Sequence, residues 1–135
     1  MGVLLINNKE DIYDSMFSIL TSIKKLVGIT EEYEAFDVDV IMHINMAIAT
    51  LEQIGVGKPG FRVTDESQTW ADYMQDDPKL ELVKDYIYLK VRLIFDPPVS
   101  TSAVESINRM ISEFEARLYY VGDGAFDTKE GDTNE

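Results

Sequence analysis

The fold of this chain is decided by residues 83–98, which read VKDYIYLKVRLIFDPP. They belong to a helix that the sequence predicts from about Pro78 to Phe95, with Asp77 as its N-cap. Two apolar series run along it, so we expect this helix to be sandwiched, either within the domain or between subunits. Pro97 and Pro98 end it, because proline disfavours helical geometry in the preceding residue. The first series is Leu80, Val83, Ile87, Val91 and Ile94, and the second is Leu82, Tyr86, Leu89 and Leu93.

Two helices are predicted before this stretch. The first runs from about Asp11 to Val27, and Lys24 and Lys25 near its end suit the helix dipole. The second runs from about Val38 to Ile54 with Asp37 as its N-cap, and its broad apolar stripe suggests a central position. The stripes are Ile12, Met16, Ile19, Ile23 and Leu26 in the first helix, and Val40, Ile41, Ile44, Ala47, Ile48, Leu51 and Ile54 in the second.

A loop and a last helix complete the pattern. Residues 55–68 are rich in Gly, Pro, Asp and Ser, and they predict a loop in which residues 61–63 form a short extended piece. Residues 69–74 follow as a helical turn with Trp70 packed inward. The last helix starts near residues 100–102, where Ser102 and Glu105 suggest a capping box. Its stripe is Val104, Ile107, Ile111, Phe114 and Leu118.

The sequence therefore predicts an all-α fold, a compact four-helix domain over residues 16–121. Residues 1–15 are an N-terminal leader whose apolar run, Val3 to Ile6, is a β-edge, a partner contact or poorly ordered chain. Met16 is an alternative start of the protein. Residues 122–135 are rich in Gly, Asp, Glu and Thr, and they read as a flexible acidic tail.

Composition excludes several function classes. The 135 residues include 12 Lys and Arg but 25 Asp and Glu, for a formal charge of −13. This charge repels phosphate backbones and anionic membrane surfaces. The absence of cysteine excludes thiolate zinc sites, thiol catalysis and disulfides. No apolar run approaches the roughly 18 residues of a membrane span. We expect a soluble, intracellular protein.

Few residues suggest chemistry. His43 lies four residues after Asp39, but two ligands are too few for a metal site. Gly55 and Gly57 resemble part of a phosphate loop, but they follow a helix and lack the Gly-Lys-Ser/Thr ending. We therefore expect no catalytic, metal or cofactor site and no enzymatic activity.

The remaining candidates are structural or interface residues. Aromatic side chains in so acidic a chain favour core or interface packing over base stacking. The residues before the last helix fix the turn that leads into it, and a basic residue four positions after Glu113 is placed for a local ion pair. These candidates are Trp70, Tyr86, Tyr88, Phe95, Asp96, Pro97, Pro98 and Arg117.

Several pieces of the sequence resemble the small head–tail connector, or adaptor, subunits of tailed bacteriophages. The resemblance covers about Ser15 to Tyr120, and residues 83–98 carry its most specific part. Residues 22–29 are similar to the opening helix of such subunits. The other matching pieces are Phe36-Asp37, residues 43–45 and 51–57 in the second helix and its exit, Thr69-Trp70 after the loop, and residues 113–118 in the last helix.

This resemblance implies an all-α structural subunit without a cofactor. Such subunits form a ring, usually of twelve copies, between the portal protein and a tail, stopper or tail-completion protein. The ring continues the channel through which DNA passes without specific binding. The resemblance places the protein in the virion neck, assembled in the host cytoplasm and away from membranes.

Two other functions stay open at this point. An acidic DNA mimic or inhibitor would bind a basic partner and would present carboxylates at phosphate-like spacing. Here the carboxylates are scattered between apolar stripes. A helical accessory domain of an enzyme complex is the third interpretation.

Overall fold

The described part of the chain contains five helices. The computed structural model describes the backbone of residues 17–134 and the side chains of residues 17–119. Within this part of the chain, the β-structure consists of one isolated bridge between Ser18 and Thr69. The prediction of an all-α fold is confirmed. The helices are α1 (Ile19–Leu26), α2 (Asp37–Gln53), α3 (Trp70–Met74), α4 (Leu80–Phe95) and α5 (Thr101–Asn134).

Helix α4 is the centre of the packing. It contacts α1, α2 and α5, and both of its apolar series are largely covered by these neighbours. Val83, Ile87 and Val91 of the first series are buried, as are Tyr86 and Leu89 of the second. The prediction of a sandwiched helix is confirmed, and the sandwich lies within one chain.

Helix α1 begins later than its stripe predicts. Ser18 is the N-cap, since its side chain accepts a hydrogen bond from the Thr21 amide at 3.1 Å. The residues just before α1 bond instead to the α3 end of the long loop, where Trp70 N–H donates to the Phe17 carbonyl. The prediction of helix at residues 17 and 18 is wrong for this reason. Residues 11–16 of that predicted helix, and the predicted leader, lie outside the described residues.

The other helix starts also differ from their predicted caps. Phe36 is the N-cap of α2, so Asp37 is its first helical residue. The N-cap of α4 is Lys79, whose amide donates to Asp77 Oδ1 at 2.8 Å in a turn before the helix. The predicted N-caps Asp37 and Asp77 are therefore wrong by one and two residues. Asp37 pairs with Lys24, and Asp77 pairs with Lys79.

Helix α5 starts at Thr101, so the predicted Ser102–Glu105 capping box is wrong. The hydroxyl of Ser100 accepts from the Ala103 amide at 3.1 Å instead. The backbone of α5 continues as a helix to Asn134, through the residues predicted to be an acidic tail. The side chains of that tail lie outside the described residues, and its flexibility stays a prediction.

Side-chain contacts hold the long loop before α3 against α2 and α3. Asn45 donates to the Val63 carbonyl at 2.9 Å and accepts from the Val63 amide at 2.8 Å. The Phe61 ring stacks on Tyr73 with 4.8 Å between centroids. Gly57 has φ +85°, and a Cβ there would collide with the Tyr73 ring. Glycine at this position therefore lets the loop close over α3.

Candidate interface at one end of the domain

The residues considered for metal binding do not come together as a metal site. The His43 ring packs edge-on against Phe95, with 5.8 Å between centroids. Among the residues that the structure describes, no three His, Cys, Asp or Glu side chains are grouped to hold a metal ion. No helix in this part of the chain has the length and apolar character needed to cross a membrane.

The glycine loop is occupied by the chain's own carboxylate. Gly60 completes a Gly-x-Gly-x-x-Gly spacing with Gly55 and Gly57. Glu52, however, accepts a hydrogen bond from the Gly60 amide at 3.2 Å and another from Arg62 at 3.3 Å. An anion at this loop would have to displace Glu52, so the loop is a closed structural turn.

Four aromatic rings line up at one end of the domain. Tyr33 packs edge-on against Phe36, with 5.5 Å between ring centroids. Phe36 packs on Phe95 at 5.8 Å, and His43 completes the series beside Phe95. The series joins the α1–α2 loop to the end of α4. Two connections that are distant in sequence therefore form one surface.

This surface is apolar and exposed, and we name it the end face. It consists of Tyr33, Phe36 and Phe95, whose rings pack in series, together with Ile94 and Val99, the exposed apolar residues nearest to Phe95 along the chain. Tyr33, Phe36 and Ile94 are each about half exposed, Val99 is fully exposed, and Phe95 supports them from a partly buried position. Large exposed apolar side chains that lie together mark interaction sites in soluble proteins.

Carboxylates flank the end-face residues along the chain. All of them are exposed. Lys24 lies below the same loop but is buried. Arg92 is held by the Asp96 carbonyl at 3.2 Å and approaches the Tyr88 hydroxyl at 3.5 Å. Lys25, in the last turn of α1, is exposed. The flanking carboxylates belong to Glu31, Glu32, Glu34, Asp39 and Asp96.

Lys24 fixes the loop that carries half of this surface. Its ammonium group donates to the carbonyls of Glu31 and Tyr33, at 3.0 and 2.8 Å, and lies 2.7 Å from Asp37 Oδ1. A buried ammonium group is costly unless it is paired and hydrogen-bonded, as it is here. From the sequence, Lys24 is predicted only to suit the helix dipole. Its spacing from Leu20, Ile23 and Val27, on the buried side of α1, was the available signal.

A second exposed apolar surface runs along α2, and we name it the α2 stripe. Val38, Met42 and Met46 are spaced four residues apart and are 78%, 51% and 59% exposed. They lie on the side of α2 opposite its buried residues, such as Val40 and Ile44. The apolar stripe predicted for α2 packs on the core as expected, and this second apolar side has no cover from the described residues.

The aromatic candidates occupy the core more than the surface. Trp70 is fully buried, and its indole N–H donates to Ser22 Oγ at 3.2 Å. Tyr86 is fully buried and donates to Glu115 at 2.7 Å. Tyr88 is half-buried on α4. These three do not form a common surface.

The turn candidates adjoin the end face. Phe95 ends α4, and Asp96 is its C-cap, with its amide bonded to the Arg92 carbonyl at 2.8 Å. Pro97 is exposed and Pro98 half-buried in the turn to α5. Arg117 is exposed on α5, far along the helix, with its guanidinium 6.0 Å from the centroid of the Phe114 ring.

Most of the chain matches one known family. The sequence model of the family described as phage connector protein matches residues 19–125. That range includes all five helix starts, the end face and the α2 stripe. No curated protein and no solved structure matches the chain.

Proposed function

Since the chain belongs to the phage connector protein family, it has a structural role in a phage, and we propose that its copies form a ring between the portal and the tail. The ring continues the DNA channel of the neck. Its partners are the portal protein above and a tail, stopper or tail-completion protein below. Assembly takes place in the host cytoplasm, and the subunit catalyses no reaction. Family membership favours this role over an acidic DNA mimic.

The α2 stripe is the observation that carries the ring proposal. Closing a ring requires each subunit to bury surface against its neighbours. Burying a fully exposed Val or Met side chain contributes about 1.5–3 kcal/mol, and these three, which start 51–78% exposed, would each contribute part of that. The methionines adapt their shape to a facing surface. Among the described residues, α4 is largely covered by α1, α2 and α5, whereas the α2 stripe is exposed and has no cover.

The charge of the chain is compatible with a ring around DNA. A formal charge of −13 on each copy disfavours adhesion of the phosphate backbone to the channel wall. Repulsion between copies is screened beyond about 8 Å at physiological ionic strength. Short-range apolar contacts can therefore hold copies together while the channel stays non-adhesive.

The test uses tail-less heads from a phage in which the gene for this chain is disrupted. Purified full-length protein is added, and the neck is imaged by electron cryomicroscopy. We expect a closed ring below the portal with the unaltered protein. The double variant Met42→Asp/Met46→Asp should leave the necks bare, because it places charge on the α2 stripe.

The control is Leu26→Asp/Met110→Asp, which adds the same charge at two exposed apolar positions outside the stripe. It should assemble like the unaltered protein. Circular dichroism confirms that all three proteins fold. Bare necks with the unaltered protein would refute the connector ring, and rings with the stripe variant would refute the role of α2.

A further inference from the structure

We propose that the end face docks a segment of a different protein that carries an apolar anchor flanked by lysine or arginine side chains. The inference rests on the proposed function, since that protein would be a neighbouring component of the neck. It goes further by naming the surface and the chemistry of the segment that binds there.

The apolar part of the end face is organised in advance. Phe36 is braced by Phe95 on one side and Tyr33 on the other. The loop backbone under Tyr33 is fixed by Lys24. Rigid exposed rings lose little conformational freedom when a partner covers them, so their burial contributes to affinity with little loss. Ile94 and Val99, close to Phe95 along the chain, add exposed apolar side chains near the end of α4.

The negative charges near the end face favour a partner with basic side chains. Five exposed carboxylates lie within three positions of Tyr33, Phe36 or Phe95 in the sequence: Glu31, Glu32, Glu34, Asp39 and Asp96. The ammonium of Lys24 is buried and engaged with two carbonyls and Asp37, so it does not neutralise them. Arg92 is bonded to the Asp96 carbonyl, and Lys25 is one exposed cation against five anions. Cationic side chains from a partner would pair with these carboxylates.

The exposed ring of Tyr33 adds a second attraction for cations. A lysine or arginine placed over an aromatic face gains a cation–π interaction, and the neighbouring carboxylates strengthen the local negative potential. The end face therefore offers a partner side chain both a ring and a counter-charge. An uncharged apolar partner would use only part of this surface.

A second copy of this chain is a poor occupant. Each copy carries a formal charge of −13, so a copy placed at the acidic end face would bring further negative charge. Like-charge juxtaposition across an interface opposes binding. The α2 stripe has Asp37 and Asp39 beside Val38 only, and residues 40–51 contain no carboxylate, so it is the better contact between copies. The two surfaces therefore serve different partners.

The first experiment identifies the occupant. A photo-reactive phenylalanine analogue replaces Val99 in the full-length protein, since this side chain is fully exposed and its replacement leaves the core intact. The protein is bound to the tail-less heads, or to completed particles, and irradiated. Mass spectrometry should find the cross-link on a different virion protein, next to lysine or arginine. A cross-link to this chain itself, or to an acidic segment, would overturn the proposal.

The second experiment measures the charge requirement. Each variant is supplied in trans to the phage in which the gene for this chain is disrupted, and infectious particles are counted. The variant Glu31→Lys/Glu32→Lys/Glu34→Lys should lower their number by about tenfold or more, because several weak ion pairs are lost together. The control Glu66→Lys/Asp76→Lys/Glu113→Lys changes the same net charge at exposed carboxylates elsewhere and should complement like the unaltered protein. Equal activity of both variants would overturn the proposal.

Two readouts separate this inference from the proposed function. If the unaltered protein forms a ring on heads but the end-face variant also completes particles, the docking inference fails and the ring stands. If the unaltered protein never attaches to heads, the proposed function fails first. Light scattering of each variant reports self-association, and a change confined to the end-face variant would assign that surface to a second copy and overturn the inference.

Discussion

The hydroxyl of Tyr86 donates a hydrogen bond to Glu115 Oε2 at 2.7 Å. Tyr86 is fully buried, and this bond joins α4 to α5. Hydrogen bonds to a charged acceptor are about twice as strong as neutral ones. The contact lies three residues before Leu118, the last buried residue of α5 among those described. It therefore fixes where the long helix leaves the core.

Replacing this tyrosine should loosen α5. Tyr86→Phe is expected to lower the free energy of unfolding by about 1.5–3 kcal/mol, because Glu115 loses its donor. Urea denaturation followed by circular dichroism measures the change. Tyr88→Phe is the control: its hydroxyl makes a 3.5 Å contact with Arg92, so its effect should stay within about 0.5 kcal/mol. Equal effects of the two variants would contradict a structural role for the Tyr86–Glu115 bond.

Replacing Tyr73 by phenylalanine should not lower the stability, in contrast to Tyr86→Phe. Its hydroxyl is buried and finds no hydrogen-bond partner among the described residues, while its ring stacks on Phe61. Tyr73→Phe keeps the ring and removes the unsatisfied group, so stability should be unchanged or rise by up to about 1 kcal/mol. The same urea titration tests this. A clear loss of stability would reveal a partner for the hydroxyl.

Both tyrosines make the protein sensitive to alkali. Burial raises the pKa of Tyr73 and of Tyr86 above the ordinary value of 10.0, and the bond to Glu115 raises the pKa of Tyr86 further. Above about pH 10 the unfolded chain releases protons that the folded protein keeps, so the stability is present below that pH and is lost as the pH rises.

Free energies of unfolding measured from about pH 9 to about pH 11 should therefore fall, and the fall should be shallower in Tyr73→Phe/Tyr86→Phe. Parallel curves for the two proteins would contradict the assignment of alkaline instability to these phenols.

Removing the buried ammonium group should release the loop that carries the end face. Lys24→Met leaves two carbonyls and Asp37 without their donor, and we expect a loss of about 2–4 kcal/mol. Hydrogen exchange at residues 31–37 should accelerate as well. Lys25→Met changes an exposed neighbour on the same helix and should have little effect on either measurement. A stable Lys24→Met protein with a protected loop would refute this role.

Gly57 and Gly60 form a matched pair for testing the long loop. Both have positive φ, but only Gly57 faces the Tyr73 ring where a Cβ would stand. Gly60→Ala should cost about 1–2 kcal/mol from backbone strain alone. Gly57→Ala adds an overpacked contact and should cost roughly 3 kcal/mol or more. Thermal denaturation ranks the two, and equal costs would show that the ring moves away freely.

The presence of the helices was predictable from the sequence because their buried apolar residues recur at helical spacing. Val83, Ile87 and Val91 recur at helical spacing and are buried as that spacing predicts. Helix starts were less predictable, because distant groups compete for them. Ser18 bridges Thr69, and Asp37 pairs with Lys24. No local pattern around either residue reports those partners.

The candidate interface was only partly predictable. The turn at Phe95 and Asp96 was identified, but its contact with Phe36 depends on how two distant connections meet. The α2 stripe was missed for a different reason. When both sides of a helix are apolar, periodicity cannot tell which side the rest of the chain covers. Only the placement of α4 against one side of α2 decides that.

The enclosure of α4 within a single chain bears on how the supply of subunits is managed. A helix that needed a neighbour to cover one apolar face would oblige every copy to fold and associate together. Here α1, α2 and α5 cover both faces, so a newly made subunit has a finished interior. Under the proposed function, copies would accumulate as a folded stock, and the arrival of a receptive particle, not the time needed to fold, would set the moment of their recruitment.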